Sequence, residues 1–309
     1  MYSKRTSALL VAAIFGMSSA AFAANNTGTI NQDGDDNTAD IQQTSSTDSN
    51  ATITQTGTLN DAATTQDNVF DATANTTQTG EGNSATIDQS NSVVAMTATI
   101  DTQGDNNIDT ITQDDSFNAV ATILQTNVFN SDATISQVNT SDNSAATITQ
   151  SNTTTDIAII DQDNADNSTA SINQDNSFVS EAEIQQVDVV GASATIDQIN
   201  VSDNATAYIY QTGGTNVTAS ITQDSAFNSN ADILQNGNDL SATIVQTNNY
   251  NDAYINQANE LNTAVINQSG LGQSGNVNQA YITQLGVGDT ATINQTGGAG
   301  NYASIFQAP

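Results

Sequence analysis

The chain contains no cysteine, histidine or tryptophan, and its one lysine and one arginine, Lys4 and Arg5, fall within the first five residues. Each absence excludes a class of function. Without cysteine, no disulfide framework can hold the fold together. Without histidine or cysteine, most nucleophilic and general-base constellations are out of reach, and the chain is expected not to be an enzyme. With 33 acids and a formal charge of −31, it cannot neutralise phosphates, which sets aside nucleic acid and anionic membrane as partners. Proline occurs only at Pro309, so nothing interrupts strand pairing.

Long apolar runs are also missing. The one candidate, Ala8 to Phe15, ends at Ser18-Ser19 and is too short to span a bilayer, so no membrane insertion is expected. Preceded by Lys4-Arg5 and followed by Ala21-Phe22-Ala23, it reads as a secretory signal peptide over residues 1–23. Cleavage after Ala23 would export residues 24–309 and, by removing both basic residues, take the formal charge to −33. No cofactor or metal is expected. Asp33-Gly34-Asp35-Asp36-Asn37 offers the first ligand positions of a calcium loop, but Thr38 stands where that loop needs glycine and Thr44 where it needs glutamate.

What the chain does have is Asn, Asp, Thr, Ser and Gln, a composition that by itself suggests disorder. The order of the residues argues otherwise. Glutamine recurs 24 times in one register from Gln32 to Gln307, a mean step close to twelve residues, as at Gln78, Gln89, Gln125, Gln150, Gln198, Gln257, Gln284 and Gln295. Isoleucine stands two places before the glutamine in most units, as with Ile87, Ile148, Ile196 and Ile255. Thr64 and Thr76 replace it in two, and Ile100 stands three places before Gln103. Alanine usually stands two places earlier again, giving A-x-I-x-Q.

A spacing of two is the strand period, so Ala, Ile and Gln share a buried face and the residues between them, such as Thr147 and Thr149, face water. Asn, Asp, Gly and Ser separate the units and tolerate turn dihedrals. One short strand cannot bury its own apolar face, but stacked units can. The expected fold is all-β, a cross-β solenoid of strand-turn-strand repeats over residues 24–309 in about 24 units, with two or three units per turn. A buried glutamine must satisfy its amide, and a gap-free column of amides, each bonded to those above and below, would do so. Ile111 to Gln162 also aligns with Ile172 to Gln223 at an offset of 61, an odd number of five units that swaps faces in a two-sided coil.

Gln78-Thr79-Gly80-Glu81-Gly82-Asn83-Ser84-Ala85-Thr86-Ile87-Asp88-Gln89 resembles the curlin repeat, Q-x-G-x-G-N-x-A-x-x-x-Q, of the bacterial curli subunits. Gln284 to Gln295 matches with Asp289 for the asparagine, and the isoleucine-rich form around Ile255 is more similar to the minor, nucleator subunit. The resemblance implies a secreted, cell-surface amyloid subunit of biofilm matrix that serves adhesion. It also implies a homopolymer that meets other fibre subunits and secretion or assembly accessory proteins. The alternative from the residues alone is a soluble extracellular β-solenoid that binds a flat surface such as ice. Thr-Ile-Thr at 52–54, 110–112 and 147–149 has the required outward pair, but Tyr-Ile-Tyr, Glu-Ile-Gln and Asp-Ile-Leu elsewhere predict no regular threonine array. Phe70, Phe117, Phe129, Phe178 and Phe227, each eight residues before a glutamine, are expected to cover the coil's edge.

Overall fold

The computed structural model describes residues 25–200 and 202–309; the signal peptide assigned to 1–23 lies outside them. The odd-numbered strands are β1 (Thr27–Asp35), β3 (Asn50–Thr58), β5 (Thr73–Glu81), β7 (Thr97–Asp105), β9 (Val120–Phe129), β11 (Ala145–Ser151), β13 (Thr169–Asp175), β15 (Ser193–Ile199), β17 (Thr218–Asp224), β19 (Ser241–Thr247), β21 (Thr263–Gln268) and β23 (Thr290–Gln295). The even-numbered ones are β2 (Thr38–Thr44), β4 (Asp61–Asp67), β6 (Ser84–Ser90), β8 (Ile108–Asp114), β10 (Asp132–Val138), β12 (Ile157–Asp166), β14 (Glu181–Val190), β16 (Thr206–Thr215), β18 (Asn230–Asn238), β20 (Asn251–Glu260), β22 (Asn278–Gln284) and β24 (Tyr302–Gln307). Odd strands form one parallel sheet of twelve and even strands another. Two units therefore complete each turn, and the choice the sequence leaves open falls on the flattened, two-sided coil.

Alternation puts Ala, Ile and Gln inside. In β15, Ala194, Ile196 and Gln198 are buried while Ser193, Thr195 and Asp197 are half-exposed. Pairing is in register, isoleucine on isoleucine and glutamine on glutamine, as in Ile172↔Ile196 and Gln174↔Gln198. The apolar core is one continuous column of alanine and isoleucine between the sheets, running from Ala74 to Ile293. Strands are six to ten residues long rather than five, because pairing continues past the glutamine toward the turn.

The turns explain the composition. Reversal needs left-handed backbone, and the non-glycine residues that adopt it are mostly asparagine and aspartate, among them Asn68, Asp71, Asn91, Asn106 and Asn130. Their short side chains tolerate that region better than others do. From β1 to β10 the tight connection leaves the odd sheet through two residues, such as Asp36-Asn37 and Asn106-Asn107; from β12 to β21 it leaves the even sheet, as at Asn167-Ser168 and Asn216-Val217. The 61-residue duplication accounts for this switch. It carries β8 onto β13, from one sheet to the other, and both sheets accept the same rung.

Glycine is required where tight turns stack closely. Gly34, Gly57 and Gly80 align on consecutive turns with φ of +128°, +119° and +131°. A Cβ on Gly57 would lie 2.0 Å from the Gly80 carbonyl oxygen, whereas one on Gly213 (φ +56°) would meet nothing within 4 Å. Gly213→Ala should cost only the left-handed strain, about 1 kcal/mol. Gly57→Ala should cost clearly more, because backbone must move. Urea unfolding midpoints of the two variants check this order.

Candidate assembly core: amide ladders and rod faces

The glutamines of the even sheet form an unbroken ladder. Each Nε2 donates to the Oε1 of the glutamine one turn later, from Gln43 through Gln66, Gln89, Gln113 and Gln137 to Gln162, at 2.8–2.9 Å. The series continues through Gln186, Gln211, Gln235, Gln257 and Gln284 to Gln307, at 2.8–3.0 Å. The second amide hydrogen reaches the other sheet. Gln198 Nε2 also donates to Glu181 O (3.1 Å) and Ala205 O (3.2 Å), carbonyls just outside or at the start of the facing strands. Most of these amides thus link successive turns and fasten the two sheets together, whereas Gln125, Gln150 and Gln162 make the ladder bond alone. All bonds point the same way, so the ladder has a donor end and an acceptor end.

The odd ladder is interrupted, and here the expectation of a gap-free column needs correction. It runs Gln32–Gln55–Gln78 and resumes at Gln125–Gln150–Gln174–Gln198 and on to Gln295. Between them stands Thr102, paired with Gln78 and Gln125, while Gln103 is exposed. Ala98 and Ile100 fix the parity of β7, so the residue two beyond Ile100 turns inward and its neighbour outward. The three-residue step from Ile100 to Gln103 was the signal. Beyond Gln103 the pairing with β9 shifts, Gln103 standing opposite Thr126 and Gly104 opposite Val128, so the extra residue is Asn127 of β9.

A second substitution accompanies the first. Asp109 occupies an alanine position between Ala85 and Ala133, is fully buried, and accepts a hydrogen bond from the Thr102 hydroxyl through Oδ2. A shorter side chain at the glutamine position leaves room for a longer one at the alanine position. Asp109 Oδ1 and Gln125 Oε1, however, are buried without partners among the described residues. Burial, with Asp132 nearby, pushes the Asp109 carboxyl from 3.8 up to about 7, although the Thr102 hydroxyl lowers it in part. The hydroxyls of Thr64 and Thr76, in isoleucine positions, are likewise buried and unpaired.

Asn83 belongs to a second column, at the tight turns. Its Nδ2 donates to Asn60 Oδ1 (3.1 Å) and Gly104 O (2.6 Å), and Asn107 Nδ2 donates to Asn83 Oδ1 (3.1 Å). The column continues through Ser131, Asp156 and Ser180, where Asp156 N donates to Ser131 Oγ and Ser180 N to Asp156 Oδ1. Burial raises the Asp156 carboxyl to about 6 against hydrogen bonds from Ser177 and Ser180. Asp156 breaks the Asn/Ser pattern of the column, a departure visible in the sequence only once the turns are aligned.

The outer faces differ. On the odd sheet, the position between alanine and isoleucine runs Thr29, Thr52, Asn75, Thr99, Thr122 and Thr147, then Thr195, Thr243 and Thr292 with Ser171, Ser220 and Val265 interspersed. One outward column of the odd sheet is therefore rich in threonine, because alternate units belong to different faces, but the column beyond isoleucine reads Asn31, Thr54, Thr77, Asp101, Leu124 and Thr149, so the outward pair forms no regular array, as expected. The even sheet carries Glu183, Tyr208, Asp232, Tyr254 and Tyr281 in the equivalent column. Of the five phenylalanines expected at the coil's edge, Phe70, Phe129, Phe178 and Phe227 lie at the turns 37–50 % exposed, and Phe117 is half-buried. Among the described residues no group of three or more acidic side chains is gathered to hold a metal.

Ile196→Asp buries an unpaired charge and should cost more than about 4 kcal/mol, whereas Thr195→Asp should stay within about 1 kcal/mol. Gln198→Ala, which strands its ladder neighbours Gln174 and Gln223, should fall between them at about 2 kcal/mol. Chemical denaturation of the three variants tests the order. Asp109 gives a pH dependence. Its folded form holds a proton that the unfolded form releases above pH 3.8, so stability should fall as pH rises from about 4 to about 7 and level off beyond. Restoring the unit with Thr102→Gln and Asp109→Ala should remove the share of that slope that Asp109 contributes and leave the shares of Asp156 and Asp232. The gain over the parent should be larger at pH 8 than at pH 4 by about 4 kcal/mol, read from urea unfolding at both.

The family model described as the curlin associated repeat matches residues 23–57, the segment that holds β1, β2 and most of β3. No curated protein matches the chain. The repeat family and the solenoid fold point to a structural protein rather than an enzyme. The matched repeat lies in the first turns of a β-solenoid that carries the same inward alanine, isoleucine and glutamine rung through to β24.

Proposed function

We propose that the chain is the secreted subunit of a curli-like amyloid fibre, built by end-on-end stacking of solenoids, that serves biofilm matrix, adhesion and surface attachment. One observation carries this reading: the directed ladders and the sheets end on unpaired rungs. Among the described residues, β1 and β2 pair on one side only, as do β23 and β24. Gln32 and Gln43 present Oε1 at one end, and Gln295 and Gln307 present Nε2 at the other. A second copy added head to tail meets donors with acceptors and extends both sheets, whereas head-to-head addition opposes like groups. The partners are further copies of this chain, other fibre subunits, and the secretion and assembly proteins that deliver them, with no role for nucleic acid or membrane insertion.

Charge regulates the addition. Asp88, Asp101, Asp132 and Glu183 on the outer strand faces have carboxyls raised chiefly by partial burial, and neighbouring acids add to this at Asp88 and Glu183. Such groups take up protons readily and then cease to repel. The threonine column favours a second reading, a soluble rod whose odd-sheet face binds a flat lattice such as ice.

The purified chain, residues 24–309, should form unbranched fibres with diffraction spacings of about 4.8 and 10 Å. The lag should be shorter at pH 4.5 than at pH 7, and shorter with millimolar calcium. Electron microscopy and fibre diffraction check this. A chain that stays monomeric for days at high concentration and shows thermal hysteresis would replace the fibre reading with the ice-binding one.

A further inference from the structure

The sequence contains seven tyrosines, and five of them, Tyr208, Tyr210, Tyr254, Tyr281 and Tyr302, fall on the outward side of one sheet within its last five strands, β16 to β24. In-register stacking interleaves them with acids. One column runs Glu183, Tyr208, Asp232, Tyr254, Tyr281, and the column beside it places Glu181 and Asp252 within reach. Tyr281 Oη donates to Asp252 Oδ2 (2.9 Å), and the Tyr281 and Tyr302 rings lie 5.9 Å apart. Asp232 sits between the tyrosines one turn before and one turn after it, and its Oδ1 is shielded from water without a hydrogen-bond partner among the described residues. The opposite sheet, built from the same rungs, carries threonine, serine and valine at the equivalent positions.

Nothing in the chain offsets these charges. Beyond Arg5 there is no lysine, arginine or histidine, so neither this chain nor a second copy of its exported part can supply a cation. The strain shows in every group of the array that shifts. Burial, together with Asp252, raises the Asp232 carboxyl to about 6. Burial and the acids Glu181, Glu183 and Asp232 push the Tyr208 hydroxyl up to about 12. An ion that can donate hydrogen bonds to a carboxylate along one edge and lie against an aromatic face fits this alternation, and the guanidinium does both while an ammonium provides only a point charge.

We propose that the outward face of β14 to β24 is a docking surface for an arginine-rich segment of another polypeptide, with guanidinium groups bonded to Asp232, Asp252 and Glu183 and stacked on Tyr208 and Tyr254. The surface commits the rod to one lateral partner side: the basic segment binds along the even sheet and leaves the threonine face free. Charge complementarity gives the affinity its salt dependence, and the tyrosines give it the preference for arginine.

The test uses the full exported chain and two fluorescent ten-residue peptides, alternating Arg-Ser and alternating Lys-Ser, with binding read by anisotropy at 50 and 300 mM salt. The arginine peptide should bind at least fivefold more tightly than the lysine peptide, and its affinity should fall at least tenfold at the higher salt. Asp232→Asn combined with Tyr208→Thr, which makes this face resemble the other, should weaken arginine-peptide binding tenfold or more. Asp197→Asn, an outward acid of the odd sheet, should leave it unchanged. Equal binding of the two peptides, or equal weakening by Asp197→Asn and the double variant, would overturn the proposal by showing only diffuse attraction to a polyanion.

Discussion

Parallel in-register stacking is the constraint on which the rest of the molecule depends. It places each side chain against its counterpart one turn away, so a residue is tolerated only if it packs or bonds with a copy of itself. Isoleucine and alanine satisfy this by packing, and glutamine satisfies it because an amide is both donor and acceptor. A buried carboxylate does not, since two acceptors repel, and the inward-facing acids Asp109 and Asp156 accordingly sit against hydroxyl donors, Thr102 and Ser177, rather than against acids. The same logic sorts the turns, where asparagine supplies left-handed backbone and a side chain that can bond up and down the column.

The amide ladder also gives the rod a direction. Within each unbroken run, the glutamines donate toward the C-terminal turn and accept from the N-terminal one, and in most of them the amide also reaches a carbonyl of the facing sheet, as at Gln198. Loss of one glutamine therefore affects two turns and two sheets. The break at Thr102 shows what the molecule does when the amide is missing. The neighbouring carbonyl oxygen of Gln125 is left without a donor, and a buried aspartate takes up the vacated space and holds its proton. That turn couples the stability of the solenoid to pH, as the buried carboxyls of Asp156 and Asp232 also do.

Outside the core, the two sheets are chemically different although the rungs are the same. The odd sheet presents hydroxyls in a near-continuous column, and the distal half of the even sheet presents tyrosines among acids. Packing does not impose this difference, because outward positions are free of the constraint that fixes the inward ones. It is the part of the surface where partners can be distinguished.

Much of this was legible in the residues. The two-residue spacing of Ala, Ile and Gln determined which side chains face inward, and the twelve-residue recurrence with asparagine and aspartate between units determined the strands and turns, since both follow from local backbone geometry. The five-unit duplication, being odd, already required the exchange of sheets seen between β8 and β13. Gln103 misled because the motif was followed by its glutamine rather than by the parity that Ala98 and Ile100 impose. Only the tertiary structure decided that two units make a turn, and with it which residues are neighbours. Thr195 lies beside Ser171 and Ser220, and Tyr208 beside Glu183 and Asp232, each one whole turn away along the chain. A sequence read unit by unit interleaves the two faces, because successive units point to opposite sides of the coil, and so the threonine column and the tyrosine–acid array separate only when the chain is wound.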